Sequence, residues 1–404
     1  MIYYNLSIYK YRGKFNMGKY NKMLQQERQE IFNSLYEGKV PKRIPIAACV
    51  TVEFAIKYYG IDILKAQWNP ELLEGAFRKV ADDFYSDVFP IRDLIRFPVF
   101  YRLLGAKNFV MGSNGFLQHP EISAMHSDEY GAFIKSPMDF ILETILPRIY
   151  SALDTDPVNR SLILAKAYKA YCDTVGFLNG VVIPNLEKEY GKYQAPPQSS
   201  AMTAAPMDFI ADQLRGFKEI SLDIRRKPKE LIEACEAVYD TMLERGIPAQ
   251  PSIYNYTFIP LHMPPYMRNR DYEKIYYPTF KRMVDGIAVA GGKSYLFLEQ
   301  DWSRFLDSLY DLPENTILRF EYGDPKEIKG KLGKQHIITG LYPLGLLKTG
   351  TKQQCIDKAK ELIDILAPGG KYFFDLDKNI ITVDSVNVDN LLAVLETYRT
   401  YGIY

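Results

Sequence analysis

Histidine and cysteine are scarce: the 404 residues hold four of each and only two tryptophans. The histidines (119, 126, 262, 336) and cysteines (49, 172, 235, 355) form no His-x-Cys, Cys-x-x-Cys or His-x-x-x-His pattern. Zinc held by thiolates, which needs such spacing, is therefore not expected. Cys49, Cys172, Cys235 and Cys355 are far apart and read as reduced thiols of a cytoplasmic protein. No charge of one sign dominates, since 50 basic residues face 49 acidic ones. The usual electrostatic signature of nucleic-acid or anionic-membrane binding is missing. No run approaches the roughly 18 apolar residues of a membrane span, and the N-terminus shows no secretory leader. Glycine-rich nucleotide loops and Gly-x-Ser-x-Gly are also absent.

What the chain does have is tyrosine and phenylalanine, 31 and 22 of them. They suit core packing and an aromatic substrate pocket alike. The apolar pattern predicts a helix over 21–37, then short apolar strands at Ile44–Val50 and Asp87–Ile91. Between about 97 and 198 the alternation breaks into helices, with a turn-rich piece at Gly112–Gly115. From 201 onward six strand segments recur: 201–205, 257–262, 294–299, 316–321, 335–339 and 371–374. Helical patterns such as 228–245 and 352–366 separate most of them. Eight strand–helix units predict an α/β fold, a (β/α)8 TIM barrel. Residues 1–22 read as an N-terminal extension and 23–404 as one barrel, with a helical insertion at about 97–198 after the second strand.

In such a barrel the carboxyl ends of the strands carry the site. They deliver Glu53, Arg92, Asp93, Asp208, His262, Glu299, Glu321, Tyr342, Asp375 and Lys378. Carboxylates crowded around one histidine suit acid–base work, because neighbouring charges shift one another's pKa values. Bland roles stand beside each: His262 as a loop anchor, Asp208 as a helix cap, Asp93 as an ion-pair partner, Gly-Asp-Pro at 323–325 as a turn and cap. Glu299 closes an apolar strand, where a carboxylate is costly without a partner or a task. Arg215 reads as a loop salt bridge.

Several segments together resemble the uroporphyrinogen decarboxylase superfamily. They are Ala205-Pro-Met-Asp208, Leu214-Arg-Gly216, Pro260-Leu-His262, Tyr276-Tyr-Pro278, Glu299-Gln-Asp-Trp302, Ala367-Pro-Gly-Gly370 and Val388-Asp-Asn390. The resemblance implies a (β/α)8 barrel and a homodimer, and the superfamily contains two chemistries. Its decarboxylases hold substrate carboxylates with arginines after the first strand; here Ala47–Glu53 has none and ends on an acid. Asp93 matches the family's aspartate with a one-residue offset, and Lys378 stands where a histidine is expected. The second group passes methyl groups to or from the cobalamin of a partner corrinoid protein. Its zinc ligands correspond to Phe297, Glu299 and Gly369-Gly370, so that thiolate site is missing; zinc through His262 and Glu299 stays open. The resemblance implies a methyltransferase moving a methyl group from a small donor, an aryl methyl ether among the candidates, to that corrinoid. Glu299 or His262 would then be the acid, with Asp93 and Asp208 beside them. Arg92, Tyr254, Tyr256, Glu321, Tyr342 and Lys378 would line the substrate. The alternative is a decarboxylase that needs no cofactor and acts on a porphyrinogen or other small acid.

Overall fold

The computed structural model describes residues 17–92 and 98–404 of the chain. Its backbone is helix-rich and organised around parallel strands. Five of them pair in chain order: β5 (Ala201–Met202), β6 (Thr257–Leu261), β7 (Ser294–Leu298), β8 (Ile317–Phe320) and β9 (Ile337–Gly340). Parallel bridges at Ile338–Tyr372 and Tyr342–Leu376 continue the run from β9 into the 372–376 segment. That segment bridges onward through Ile46–Phe374, and Val50 bridges Ile380. The first strand, β1 (Val50–Thr51), pairs in parallel with β2 (Ile91–Arg92). Each of the eight segments expected from the sequence thus contributes to one parallel succession. No pairing between β2 and β5 occurs among the described residues.

Alternation explains the two faces of this succession. Along β6, Thr257, Ile259 and Leu261 are buried while Phe258 and Pro260 keep partial exposure. The buried set faces the surrounding helices, where Leu231, Val238, Phe280 and Met283 join Ile259 and Leu296 in one apolar cluster. The inner face forms a second cluster of Ala47, Tyr295, Ile317, Ile337 and Phe373. Phe32, Leu35 and Tyr36 of the helix Met17–Tyr36 close that cluster at the amino end of the strands. This helix starts at Met17, within the segment 1–22.

A buried ion cluster fixes the same helix. Asp87, fully buried, accepts from Arg28 Nε at 3.3 Å, from Arg43 at 2.7 and 2.8 Å, and from the Ile46 amide at 2.8 Å. The hydrogen bonds and charge of Arg43 outweigh the effect of burial and hold its carboxyl below the usual range.

The 98–200 region is mainly helical, with an antiparallel hairpin, β3 (Val110–Met111) and β4 (Leu117–Gln118), built on the expected turn at 112–115. Its long helix Pro157–Phe177 starts on an Asp156 cap with Pro157 in the first turn. Residues 137–153 are broken into short helical pieces around a π turn at Ile141–Ile145. Pro147, which lacks an amide hydrogen, sits just beyond that turn. Arg215 ties the region down: its Nε lies 2.6 Å from buried Asp223, which also accepts from Tyr130, and its Nη1 donates to the Met125 carbonyl. The helix Lys352–Leu366 begins with a Thr351–Gln354 capping box, which is why its bounds are legible in the sequence.

One glycine sets the exit from β9. Gly340 has φ +84°, and a Cβ there would lie 2.3 Å from the Phe320 carbonyl oxygen. We expect Gly340→Ala to cost about 1–3 kcal/mol, from a strained backbone and a backbone clash. A denaturant midpoint indistinguishable from wild type would contradict that packing.

Candidate functional site

Four polar side chains meet where β6 and β7 end. His262 follows β6 directly and Glu299 follows β7, and the register pairs Leu261 with Leu298. Neighbouring strands of equal length thus place the two residues side by side. His262 Nε2 lies 3.2 Å from Glu299 Oε1, and His262 Nδ1 lies 2.7 Å from Asp212 Oδ2. Asp212 comes from the short helical segment Pro206–Arg215, one turn after Asp208. Asp208 is fully buried and does not cap its helix. It accepts from the Met263 amide at 3.0 Å, the His262 amide at 3.3 Å and the Tyr276 hydroxyl at 2.6 Å. Its task is to hold the turn that aims His262.

The electrostatics follow from this crowding. Burial disfavours charge on His262, but hydrogen bonds to Asp212 and Glu299 and the field of Asp208 outweigh it, and its pKa is pushed up to about 11. Burial likewise raises Asp208 to about 7, with Asp212 adding to the rise against His262 and the Tyr276 hydrogen bond. The stability contributed by His262 is thus complete below about pH 6.5 and is lost only as pH rises through about 11. Ionising Asp208 works the other way, costing stability as pH rises from about 4 to about 7. A carboxylate beside each nitrogen favours the doubly protonated ring. Nitrogen NMR of the ring is expected to show the imidazolium at pH 8, and Asp212→Asn to bring its titration down toward 6.5. A neutral ring at pH 8 in the wild type would contradict the arrangement.

Backbone strain marks the same rim. Gln300, next to Glu299, has φ +62°, and Leu341, just past β9, has φ +64°. Such residues cost about 1–3 kcal/mol and persist where surrounding contacts impose them. Here Glu321 accepts from the Gln300 amide at 2.5 Å and also pairs with Lys378. A cleft of about 220 Å³ opens beside Asp212, walled by His119, Glu121 and Phe217. A larger one, about 450 Å³, lies at the amino end of the strands near Lys293 and Asn315, remote from these carboxylates.

Below the rim is a second polar group. Arg92 Nη1 lies 2.6 Å from Asp375 Oδ2, and Arg319 Nε lies 3.9 Å from the same oxygen. Arg319 is 1% exposed; its Nε donates to the Leu376 carbonyl and its Nη1 to Asn379. Arg319 Nη2 is buried with no hydrogen-bond partner among the described residues. The Tyr295 hydroxyl reaches Asp375 at 3.4 Å, and the Tyr256 ring lies edge-on to Tyr295 at 4.7 Å.

The expected site residues therefore fall into groups. His262, Glu299 and Asp208 come together, Glu321 pairs with Lys378, and Arg92 and Tyr256 lie on the inner face. Tyr254 does not join them: it precedes β6, and its hydroxyl donates to Glu37 at the amino end. Tyr342 is buried on the outer face, donating to the Cys355 carbonyl. Asp93 lies outside the described residues. Asp212 and Arg319 are additions. A second acid one turn after Asp208, and a lone cation in the apolar strand Ile317–Phe320, were the signals. Among the described residues no group of three or more His, Cys, Asp or Glu is arranged to hold a metal ion, and no helix is long and apolar enough to cross a membrane.

The comparisons define the class of fold. No protein-family profile matches the chain, and no curated protein sequence does. Among solved structures the chain is similar to a methyltransferase from Methanosarcina mazei, with a TM-score of 0.58 and 14% sequence identity. The likeness covers 92% of this chain and 98% of that one. It establishes a shared fold over nearly the whole length.

Proposed function

We propose that the protein is a methyltransferase on a closed (β/α)8 barrel, in the corrinoid-dependent branch of the uroporphyrinogen decarboxylase superfamily. In this reading it moves a methyl group from a small donor, such as an aryl methyl ether, to the cobalamin of a partner corrinoid protein. It works as a cytoplasmic homodimer. The observation that carries the reading is His262 held between Asp212, hydrogen-bonded at 2.7 Å, and Glu299, 3.2 Å away, together with the fold shared with a methyltransferase.

An alkoxide or phenoxide is a poor leaving group, so breaking a methyl–oxygen bond calls for a proton at that oxygen. His262 Nε2, 3.2 Å from Glu299 Oε1, lies at the mouth, where both side chains are about a third exposed. As the methyl carbon leaves, the bonding pair stays on the donor oxygen and that oxygen takes the proton from His262. Asp212 holds the ring through Nδ1 and Glu299 steers the proton. The corrinoid, when docked, supplies the electron pair that accepts the methyl group. Afterwards Asp208, titrating near neutrality behind the ring, favours return of a proton to His262.

The test combines the purified protein, a reduced corrinoid protein of proven activity and a panel of methyl ethers. A change in corrinoid absorbance that needs both proteins and one donor is expected. Silence across the panel, or carbon dioxide release from a small acid without corrinoid, would overturn the reading, the second outcome in favour of a decarboxylase.

A further inference from the structure

We propose that Arg319 and Arg92 form a carboxylate-binding subsite on the inner face of the strands, beneath the His262 cluster. Two guanidiniums converge there on the carboxylate of Asp375, and the buried carboxylate of Asp377 also lies within the field of Arg319. A buried guanidinium is costly unless its donors are paired, and Arg319 Nη2 has no partner among the described residues. Arg319 Nε and Nη1 are already used by Leu376 and Asn379, both beyond Phe374 toward the mouth, so the guanidinium reaches toward the site. The fork of an arginine matches the two oxygens of a carboxylate.

Space and register agree with this ligand. Phe258, Phe297 and Tyr256, on the inner face, keep partial exposure, whereas their outward neighbours are buried. Exposure on the inner face is confined to these aromatic rings, while Tyr295, Ile317 and Arg319 beside them are buried. Phe297 pairs in register with Arg319, and the Arg319 guanidinium lies over the Phe297 ring at 4.6 Å. Glu299 follows two residues later, just past the end of β7 and about 7 Å nearer the mouth. One small molecule spans that gap: a carboxylate on Arg319, a flat apolar body against Phe297, and a reacting atom at His262. The anion subsite stands on the arginines alone; its assignment as the tail of the methyl donor rests on the methyl-transfer reading.

Benzoate and its uncharged analogue benzamide are the probes, titrated calorimetrically into the full-length protein without corrinoid. Wild type is expected to bind benzoate at least about tenfold more tightly than benzamide, the scale set by a charge-assisted hydrogen bond. Arg319→Gln, with a native circular dichroism spectrum, is expected to lose about tenfold in benzoate affinity and keep its benzamide affinity. Equal binding of the two probes by wild type, no benzoate binding, or unchanged benzoate affinity in folded Arg319→Gln would overturn the proposal. Should Arg319→Gln not fold, Arg92→Gln takes its place with the same expectation, and the wild-type ratio decides alone if neither folds. No methyl transfer is involved, so failure here leaves the proposed reaction standing, and a protein inactive in methyl transfer can still pass.

Discussion

Replacing His262 with Gln is expected to slow methyl transfer from an ether donor by about 10²–10⁴-fold, the usual worth of a positioned general acid. Glutamine keeps the volume and hydrogen-bonding capacity of the side chain but has no titratable proton. The loss should therefore appear in kcat, with KM little changed, because the proton matters most as the methyl–oxygen bond breaks. The pH profile supplies an independent signature. Since Asp212 and Glu299 hold His262 charged far above its ordinary range, wild-type activity should persist through pH 8 without a fall near 6.5. Asp212→Asn should move that alkaline limb downward. Full activity in His262→Gln would leave the cluster with no part in the chemistry.

Asp87→Ala is expected to have the largest effect on stability, about 3–5 kcal/mol, because it strands buried cations. Arg28 is 5% exposed, and its Nε loses the Asp87 carboxylate together with Arg43. Nearby Lys192, itself buried and lowered to about 7, would then face uncompensated guanidinium charge. Denaturant unfolding measures the loss. The sign with pH is also set. The carboxyl of Asp87 is depressed in the folded state, so its contribution is present above about pH 4 and lost as pH falls through the lower folded value. Wild type should weaken on acidification and Asp87→Ala should show less of that dependence. Because the cluster sits at the amino end of the strands, whatever fraction stays folded should keep its activity.

The strands were legible because each is a short apolar run between turn residues, and burial on two faces leaves that pattern. The helix Lys352–Leu366 was legible through its cap. The site was readable where a polar residue immediately follows a strand, as with His262 and Glu299. Asp212 was not, because it lies in a ten-residue segment with a π turn whose periodicity is too short to register. Arg319 looks out of place in Ile317–Phe320 until the pairing reveals that its face is the inner one. Two tyrosines were misplaced for a positional reason. Alternation from Thr339 puts Tyr342 on the outer face, and Tyr254 comes before its strand rather than after it. The arginines absent after the first strand also proved a poor guide to the interior, which carries Arg92 and Arg319 from β2 and β8.

We propose that this site supplies a proton to the departing atom of a methyl donor. This is tested most directly by comparing wild type with His262→Gln on two donors, an aryl methyl ether and a methylsulfonium, whose neutral thioether leaves without a proton. With the corrinoid protein in excess, a loss of about 10²–10⁴-fold is expected on the ether and rates on the sulfonium within a few-fold of each other. Equal losses on both donors would contradict it.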